Sequence, residues 1–215
     1  MRIIGGDAGG RLLRTPEGLG VRPMPDKVKL AVFNSLGDRV VDARVLDLFA
    51  GTGALGLECL SRGARQLTSY ERSEKHARFY RANLASAALP GIEVSLRVQD
   101  VFVGVPQLAR EGRQFELIIA DPPYGEKTRP GKRSESLAQQ LLDVPELPGM
   151  LAPGGRFVLG HTKRDQVTIP AHWVAVKELK HGDTIIRFLE RPESPPAAPA
   201  ATADSAPAPE VPVTS

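Results

Sequence analysis

The tetrapeptide Asp121-Pro122-Pro123-Tyr124 directly follows an apolar run at residues 115–120. The run reads as a buried strand, and open α/β sheets hold their ligands just beyond the carboxyl ends of such strands. Two successive prolines remove two backbone donors and fix φ, which makes a stiff turn. Such a turn can aim the Asp121 carboxylate, the Pro122 carbonyl and the Tyr124 ring at one point. Two acceptors and an aromatic face suit a planar base that carries an amino group. The plainer alternative is an acidic β-turn that happens to contain two prolines.

A second constellation runs from Val45 to Glu58, through Asp47-Leu48-Phe49-Ala50-Gly51-Thr52-Gly53. An apolar strand ends near Asp47, a turn containing Phe49 follows, and residues 54–62 have helical composition. Gly51 and Gly53 allow positive φ or close approach of the backbone to a ligand. The following helix would point free N–H groups and its positive end at that ligand. The spacing Gly51-x-Gly53-x-x-Gly56 also fits the dinucleotide fingerprint, so the glycines alone leave NAD and S-adenosylmethionine open. A carboxylate at Asp47 repels a pyrophosphate and attracts a cationic sulfonium with an amino-acid tail. A tight turn without a ligand is the remaining alternative.

Two more acids fall where a nucleoside ligand needs acceptors. Residues 67–71 read as a strand ending in Glu71, placed to accept both ribose hydroxyls. Residues 94–98 read as another, with Asp100 just beyond it and able to accept from an adenine amine. Each could instead be a helix N-cap or a solvated charge.

The elements that must position these groups alternate. An N-terminal extension (1–42) holds a small hairpin pairing residues 1–4 with 11–14, then a helix through Leu36 that Asp26 is expected to cap. Helices are expected at 73–88 and 134–144, a turn at 149–155, a strand at 156–160 and a closing hairpin near 173–190. Alternation of β and α implies a doubly wound, mostly parallel sheet. Residues 192–215 are rich in Pro and Ala without periodicity, which reads as a disordered tail.

Taken together, Asp-Leu-Phe-Ala-Gly-Thr-Gly, Glu71, Asp100 and Asp-Pro-Pro-Tyr resemble the class I S-adenosylmethionine-dependent amino-methyltransferases. The opening Met1-Arg2-Ile3-Ile4-Gly5-Gly6, the segment Gly9-Gly10-Arg11 with Leu13, and Arg22-Pro23 with Asp26-Lys27-Val28-Lys29 narrow the resemblance to the RsmD group. Gly182-Asp183-Thr184 with Phe188 resembles that group's closing hairpin. The chain departs from the pattern at Met24-Pro25, where small hydroxyl residues are expected. The resemblance covers residues 1–190. It implies a Rossmann-like methyltransferase domain over 43–191, with a seven-stranded sheet and an antiparallel C-terminal edge. It also implies methyl transfer from S-adenosylmethionine to N2 of a guanine in small-subunit (16S) ribosomal RNA, free or in an assembling subunit. Asp121, Pro122 and Tyr124 would be catalytic; Asp47, Phe49, Gly51, Gly53, Glu71 and Asp100 would hold the cofactor.

Composition sets limits on that reading. The chain of 215 residues carries a formal net charge of +3, enough for one α/β domain with a good core. Removing the tail's −3 (Glu193, Asp204, Glu210) leaves the rest near +6, a moderate basic excess consistent with a polyanionic partner. Arg2, Arg11, Arg22 and Lys27, with Arg14 and Lys29, form one basic stretch. Lys127 and Arg129, with Lys132 and Arg133, form another beside the Asp-Pro-Pro-Tyr turn, suited to phosphate contacts. The single Cys59 reads as a core residue, and His76, His161, His172 and His181 lack metal spacing, so no metal is expected. Trp173 reads as a strand residue packed on the sheet. Lack of a signal peptide or a run of about 18 apolar residues points to a cytoplasmic protein, expected as a monomer without a membrane partner. Three rivals stay open: a DNA (adenine-N6), protein or other amino-methyltransferase using the same pocket, an NAD-dependent oxidoreductase, and a non-catalytic ribosome-assembly binder.

Overall fold

The computed structural model describes residues 1–16, 24–124 and 133–192. Arg22, Lys127, Arg129 and Lys132, and the tail from residue 193 onward, lie outside the described residues. Five strands run parallel: β1 (Arg44–Leu48), β2 (Gln66–Tyr70), β3 (Glu93–Arg97), β4 (Phe115–Ala120) and β5 (Leu151–Thr162). β6 (Val174–His181) and β7 (Thr184–Glu190) form an antiparallel hairpin on β5. The order across the sheet is β3-β2-β1-β4-β5-β7-β6. It reverses direction between β1 and β4, and the crevice outside that reversal is where open α/β sheets bind ligands.

Helices cover both faces, so the central strands are apolar on both sides and their side chains alternate with period two. On one face α1 (Asp26–Leu36), α2 (Ala54–Ser61) and α3 (Glu74–Ala87) contribute Val28, Val32, Leu57, Leu60 and Tyr80. These share a core with Val45, Leu67, Leu117 and Ile119. On the other, α4 (Val101–Arg110) and α5 (Leu137–Leu142) bring Val105, Leu108, Leu141 and Leu142 onto Leu46, Leu48, Tyr70 and Ile118.

Several elements differ from the sequence expectation. α4 follows Asp100, which is its N-cap, the alternative the sequence left open, although Gly104 and Pro106 oppose a helix. Tertiary packing overrides propensity: Val101, Gly104, Val105 and Leu108 are the buried positions, at helical spacing. A Cβ on Gly104 would lie 2.0 Å from the Tyr70 ring, so glycine is what lets α4 seat. Asp26 does not cap α1; Pro25 holds that position without a side-chain cap, and Asp26 is instead the ion-pair partner of Arg2. The expected turn at 149–155 is a 3-10 turn (Leu147–Met150) followed by an irregularity inside β5, where β4 pairs through Phe115↔Leu151 and then Leu117↔Arg156. α5 is a six-residue helix capped by the Ser136 hydroxyl, shorter than expected. Trp173 precedes β6 rather than lying in it, with its ring 5.0 Å from Phe157 and its N–H on the Leu142 carbonyl.

The N-terminal hairpin forms about a single bridge, Arg2↔Leu12, with Leu13 N–H on the Met1 carbonyl at 2.9 Å and Ile3 N–H on the Arg11 carbonyl at 3.0 Å. Its attachment to the domain is stronger. The Glu58 carboxylate on α2 is fully buried and accepts from the Ile4 and Gly5 N–H groups at 2.8 and 2.9 Å. Lys29 reaches the same carboxylate at 3.1 Å, and Arg62 does so at 2.8 Å. Lys29 is 1% exposed and also donates to the Arg2 carbonyl. It therefore leaves the basic surface that the sequence suggested, for a buried charge survives only when paired and hydrogen-bonded.

Lys29→Met strands the Glu58 charge with fewer donors, and removal of one partner of a buried pair is expected to cost about 3–5 kcal/mol. Urea denaturation of the two proteins measures it; a loss below about 1 kcal/mol would show the pair to be dispensable.

Candidate active site

The four strands that carry the acids end level with one another. Leu48 is the register partner of Tyr70 and of Ala120, and Tyr70 is the partner of Arg97. Asp47, Glu71, Asp100 and Asp121 therefore emerge along one edge of the sheet. That parallel register is why acids far apart in the chain become neighbours. The Glu71 and Asp121 charges both act on Asp47.

Backbone donors meet three of these acids. Asp47 is 1% exposed, and its Oδ2 accepts from Gly56 N–H at 3.0 Å in the first turn of α2. A Cβ at Gly56 would lie 2.7 Å from that oxygen, so the third glycine of the motif is there to admit a carboxylate. Burial, with the Glu71 and Asp121 charges adding to it, pushes Asp47 up to about 8. Glu71 accepts from Gly51 N–H at 2.8 Å and from Ser73 N–H at 2.7 Å, and His76 Nδ1 lies 3.5 Å from it. Each of its oxygens keeps a second lone pair, enough for two hydroxyls. Asp100 is the N-cap of α4 and accepts from Phe102 N–H at 2.8 Å through Oδ1, which leaves Oδ2 to accept from a ligand.

Asp121 differs. Its Oδ1 is sealed from solvent and has no hydrogen-bond partner among the described residues. The Gly160 backbone lies against it: a Cβ there would be 2.4 Å from Oδ1. Burial raises its pKa to about 6. Pro122 is buried behind it, whereas Pro123 and Tyr124 are exposed, Tyr124 at 44%. Among the four acids, Asp121 is thus the one whose buried oxygen the described residues leave without a donor.

The glycine-rich turn is held in a strained form. Phe49 sits at φ 61, Gly51 at 59 and Gly53 at 88. A phenylalanine there costs energy that only surrounding structure can sustain. Ala50 N–H donates to the Tyr70 carbonyl at 2.9 Å and Gly53 N–H to the Ala50 carbonyl at 2.8 Å. Tyr80 backs the turn, since a Cβ on Gly53 would be 2.9 Å from its ring, and its hydroxyl meets Ser69 Oγ at 2.8 Å. The sequence reading missed Tyr80, His76 and Phe102. Phe102, edge-on to Phe49 at 6.1 Å, adds an aromatic wall beside Asp100. Its place directly after the Asp100-Val101 pair was the one clue available.

The described basic candidates are partly engaged. Arg2 pairs with Asp26 at 3.0 Å and Arg11 donates to the Ser86 carbonyl, whereas Lys27 is exposed. Arg2 and Lys27 line a shallow cleft of about 290 Å³ with Ile4 and Leu30. Cys59 is fully buried, and His161 is buried with Arg187 Nε donating to its Nε2 at 3.1 Å. Among the described residues no cluster of His, Cys, Asp and Glu could hold a metal ion, and no helix is long and apolar enough to cross a membrane.

The family model described as conserved hypothetical protein 95 matches residues 1–190. Ribosomal RNA small subunit methyltransferase D of Escherichia coli K12 is 32% identical over 192 residues, covering 89% of this chain and 90% of that protein. The putative rRNA methyltransferase YlbH of Bacillus subtilis is 37% identical over 170 residues, covering 79% and 86%. The solved structure of the putative methyltransferase yhhF from Escherichia coli superposes with a TM-score of 0.71 at 32% identity, covering 89% and 97%. A hypothetical protein of Thermus thermophilus gives 0.71 at 27% identity, covering 88% and 99%. The fold is that of the class I methyltransferases, and the chain belongs to the family of ribosomal RNA small subunit methyltransferase D.

Proposed function

We propose that this protein transfers a methyl group from S-adenosylmethionine to the exocyclic N2 of a specific guanine in small-subunit (16S) ribosomal RNA. The observation that carries the reading is the contrast among the four acids. Asp47, Glu71 and Asp100 each accept from backbone N–H groups, and Asp121 Oδ1 accepts from none among the described residues. Relatives that carry the name of rRNA methyltransferases support the same substrate class.

The residues present fit the cofactor. Gly51, Gly53, Phe49 and Asp47 would hold the methionine end, the glycines by admitting it close to the backbone and Asp47 by its charge. The free lone pairs of Glu71 suit ribose hydroxyls, and Asp100 Oδ2, with the Phe102 edge, suits an adenine amine. When bound, S-adenosylmethionine supplies an electrophilic methyl group on a cationic sulfur.

The rest of the chemistry belongs to the chain. A guanine must leave its stack before its amine reaches a pocket at a strand end, and Tyr124 offers the exposed ring on which it stacks. The amine donates to Asp121 and to the Pro122 carbonyl. A lone pair on N2 is delocalised into the ring, and two acceptors favour the pyramidal form that restores it. The same acceptors stabilise positive charge that develops during in-line transfer. Asp121 takes the proton late, after the N–C bond has formed, because its ionised form is needed first as an acceptor. Arg2, Arg11 and Lys27, with Arg22, Lys127 and Arg129, would engage phosphates. Such a substrate puts the reaction in the cytoplasm, carried out by a single chain on free RNA or an assembling subunit. Methyl incorporation from labelled cofactor into small-subunit RNA, with none into duplex DNA, distinguishes this from the DNA-directed alternative; incorporation into DNA alone would sink it.

Asp121→Asn separates catalysis from stability. The folded carboxyl titrates near 6, above its ordinary 3.8. The native state thus holds the extra proton between about pH 4 and 6, and stability falls as pH rises through that window. The amide has no such penalty, so melting at pH 7.5 should show a gain of about 1–2 kcal/mol that vanishes near pH 4. Turnover should fall at least about 100-fold with cofactor affinity nearly intact, the scale of losing one preorganised transition-state contact. Equal losses in turnover and cofactor affinity would make Asp121 structural. In the unaltered enzyme kcat/KM should decline with a one-proton slope below about pH 6, and a flat profile down to about pH 5 would count against the ionised form.

Asp47, held near 8 without a ligand, should lose its proton when a cation arrives beside it. Calorimetry at about pH 7 in buffers of different ionisation enthalpy should show proton release with S-adenosylmethionine and less with S-adenosylhomocysteine, whose sulfur is neutral. Equal proton release for the two would refute a sulfonium–Asp47 interaction.

A further inference from the structure

One buried side chain ties the N-terminal arm to the glycine-rich turn. Asn83 on α3 is 0% exposed. Its Oδ1 accepts from Arg14 N–H at 2.7 Å, and its Nδ2 donates to the Arg14 carbonyl at 3.0 Å and to the Thr52 carbonyl at 2.9 Å. Both amide donors are used, and the Arg14 N–H fixes which end is oxygen. Thr52 is the residue between Gly51 and Gly53.

Asn83 belongs to a row along one face of α3. His76, Tyr80 and Asn83, spaced four and three apart, face in turn Glu71, the Gly53 backbone and Thr52. The arm has a second anchorage on α2, the helix that begins at the same turn. Besides the Glu58 contacts, Ala8 N–H donates to Ser61 Oγ at 2.9 Å, and Ser61 donates to the Gly5 carbonyl at 2.6 Å. The start of the arm is thus fixed to the domain at several points. Its far end, at Arg14, shares its anchor with the turn itself. A planar amide cannot follow Thr52 and stay fixed on Arg14 unless the two move together.

We propose that Asn83 is a positioning residue that couples occupancy of the glycine-rich turn to placement of the basic arm, so that cofactor and RNA bind with positive cooperativity. The RNA half rests on the function proposed above. A ligand that fixes the Thr52 carbonyl fixes Arg14 through two shared hydrogen bonds, and linkage makes the effect reciprocal. The path runs through a fully buried, uncharged amide, so it is screened by salt far less than surface charges are. The basic residues of the arm then sit correctly for RNA phosphates when the cofactor is in place.

Hydrogen exchange at the Arg14 amide and RNA affinity provide two readouts, each with and without saturating S-adenosylhomocysteine. In the unaltered protein the cofactor product should slow Arg14 exchange and tighten binding of a small-subunit RNA fragment, each roughly tenfold. Asn83→Asp keeps the shape and the acceptor for Arg14 N–H but loses both donors, and it should abolish both responses while still binding S-adenosylhomocysteine. Asn83→Ala, uncharged, serves if the buried acid prevents folding. An Arg14 amide in the unaltered protein that is indifferent to S-adenosylhomocysteine overturns the proposal whatever the variants do. Responses that persist in a folded Asn83 variant overturn it as well. RNA binding that ignores the cofactor, while Arg14 protection responds, refutes cooperativity and leaves the cofactor reading intact. Failure to bind S-adenosylhomocysteine at all sinks the functional reading itself.

Discussion

The parallel register of β3, β2, β1 and β4 is the constraint on which the site depends. Strands that end level, on either side of the point where the sheet order reverses, bring every residue following their last hydrogen bond into one crevice. Asp47 near the end of β1, and Glu71, Asp100 and Asp121 just past the other three strands, are acids, and nearby carboxylates repel one another and resist burial. The fold must offset that cost, and it does so with backbone N–H groups. Those donors come from the start of α2 for Asp47, from the turn and the approach to α3 for Glu71, and from the start of α4 for Asp100. Groups that a helix start leaves unpaired are thereby used twice, to complete the helix and to hold an acid in place.

The distribution of those donors divides the crevice chemically. Three carboxylates are committed to shaping the walls, and the acceptor capacity they keep is oriented by the bonds they have made. The fourth, Asp121, faces a glycine on β5 and has an oxygen with no donor among the described residues. An unmet buried acceptor is unfavourable to the folded state, which ordinarily fills such a deficit. It persists here at the switch point of the sheet, three residues before the exposed Tyr124. The glycines serve the same division: Gly56 admits Asp47, Gly160 admits Asp121, and a methyl at either would displace a carboxylate.

Much of this was legible in the residues, because strand ends followed by acids and glycines are local patterns. β1, β2, β3 and β4 lie where their apolar runs indicated, and the closing hairpin turns at Gly182-Asp183 as read. What failed to show was set by distant partners. Beyond Asp100 as its N-cap, α4 was hard to read because Gly104 and Pro106 argue against a helix, and only the Tyr70 ring beneath explains the glycine. Lys29 looked like one more surface cation in a basic stretch; its partner Glu58 lies on another helix, far along the chain. Asp26 had the spacing of a cap, but Arg2 reaches its carboxylate first. Tyr80, His76 and Asn83 had the period of a helix face, with nothing to say that the face would lie against the glycine-rich turn.

That face bears on how the turn keeps its shape. With Phe49, Gly51 and Gly53 all at positive φ, the turn has little intrinsic reason to hold this conformation, and a non-glycine residue among them adds about 1–3 kcal/mol of strain. The bonds that hold it come from β2 and α3, not from its own strand. Glu71 takes Gly51 N–H, the Tyr70 carbonyl takes Ala50 N–H, and Asn83 takes the Thr52 carbonyl. Glu71 therefore shapes the turn, and a substitution there would distort it. Glu71 and Asn83 grip neighbouring residues of one strained turn, and Asn83 also holds Arg14, so a change at Glu71 has a short route to the arm.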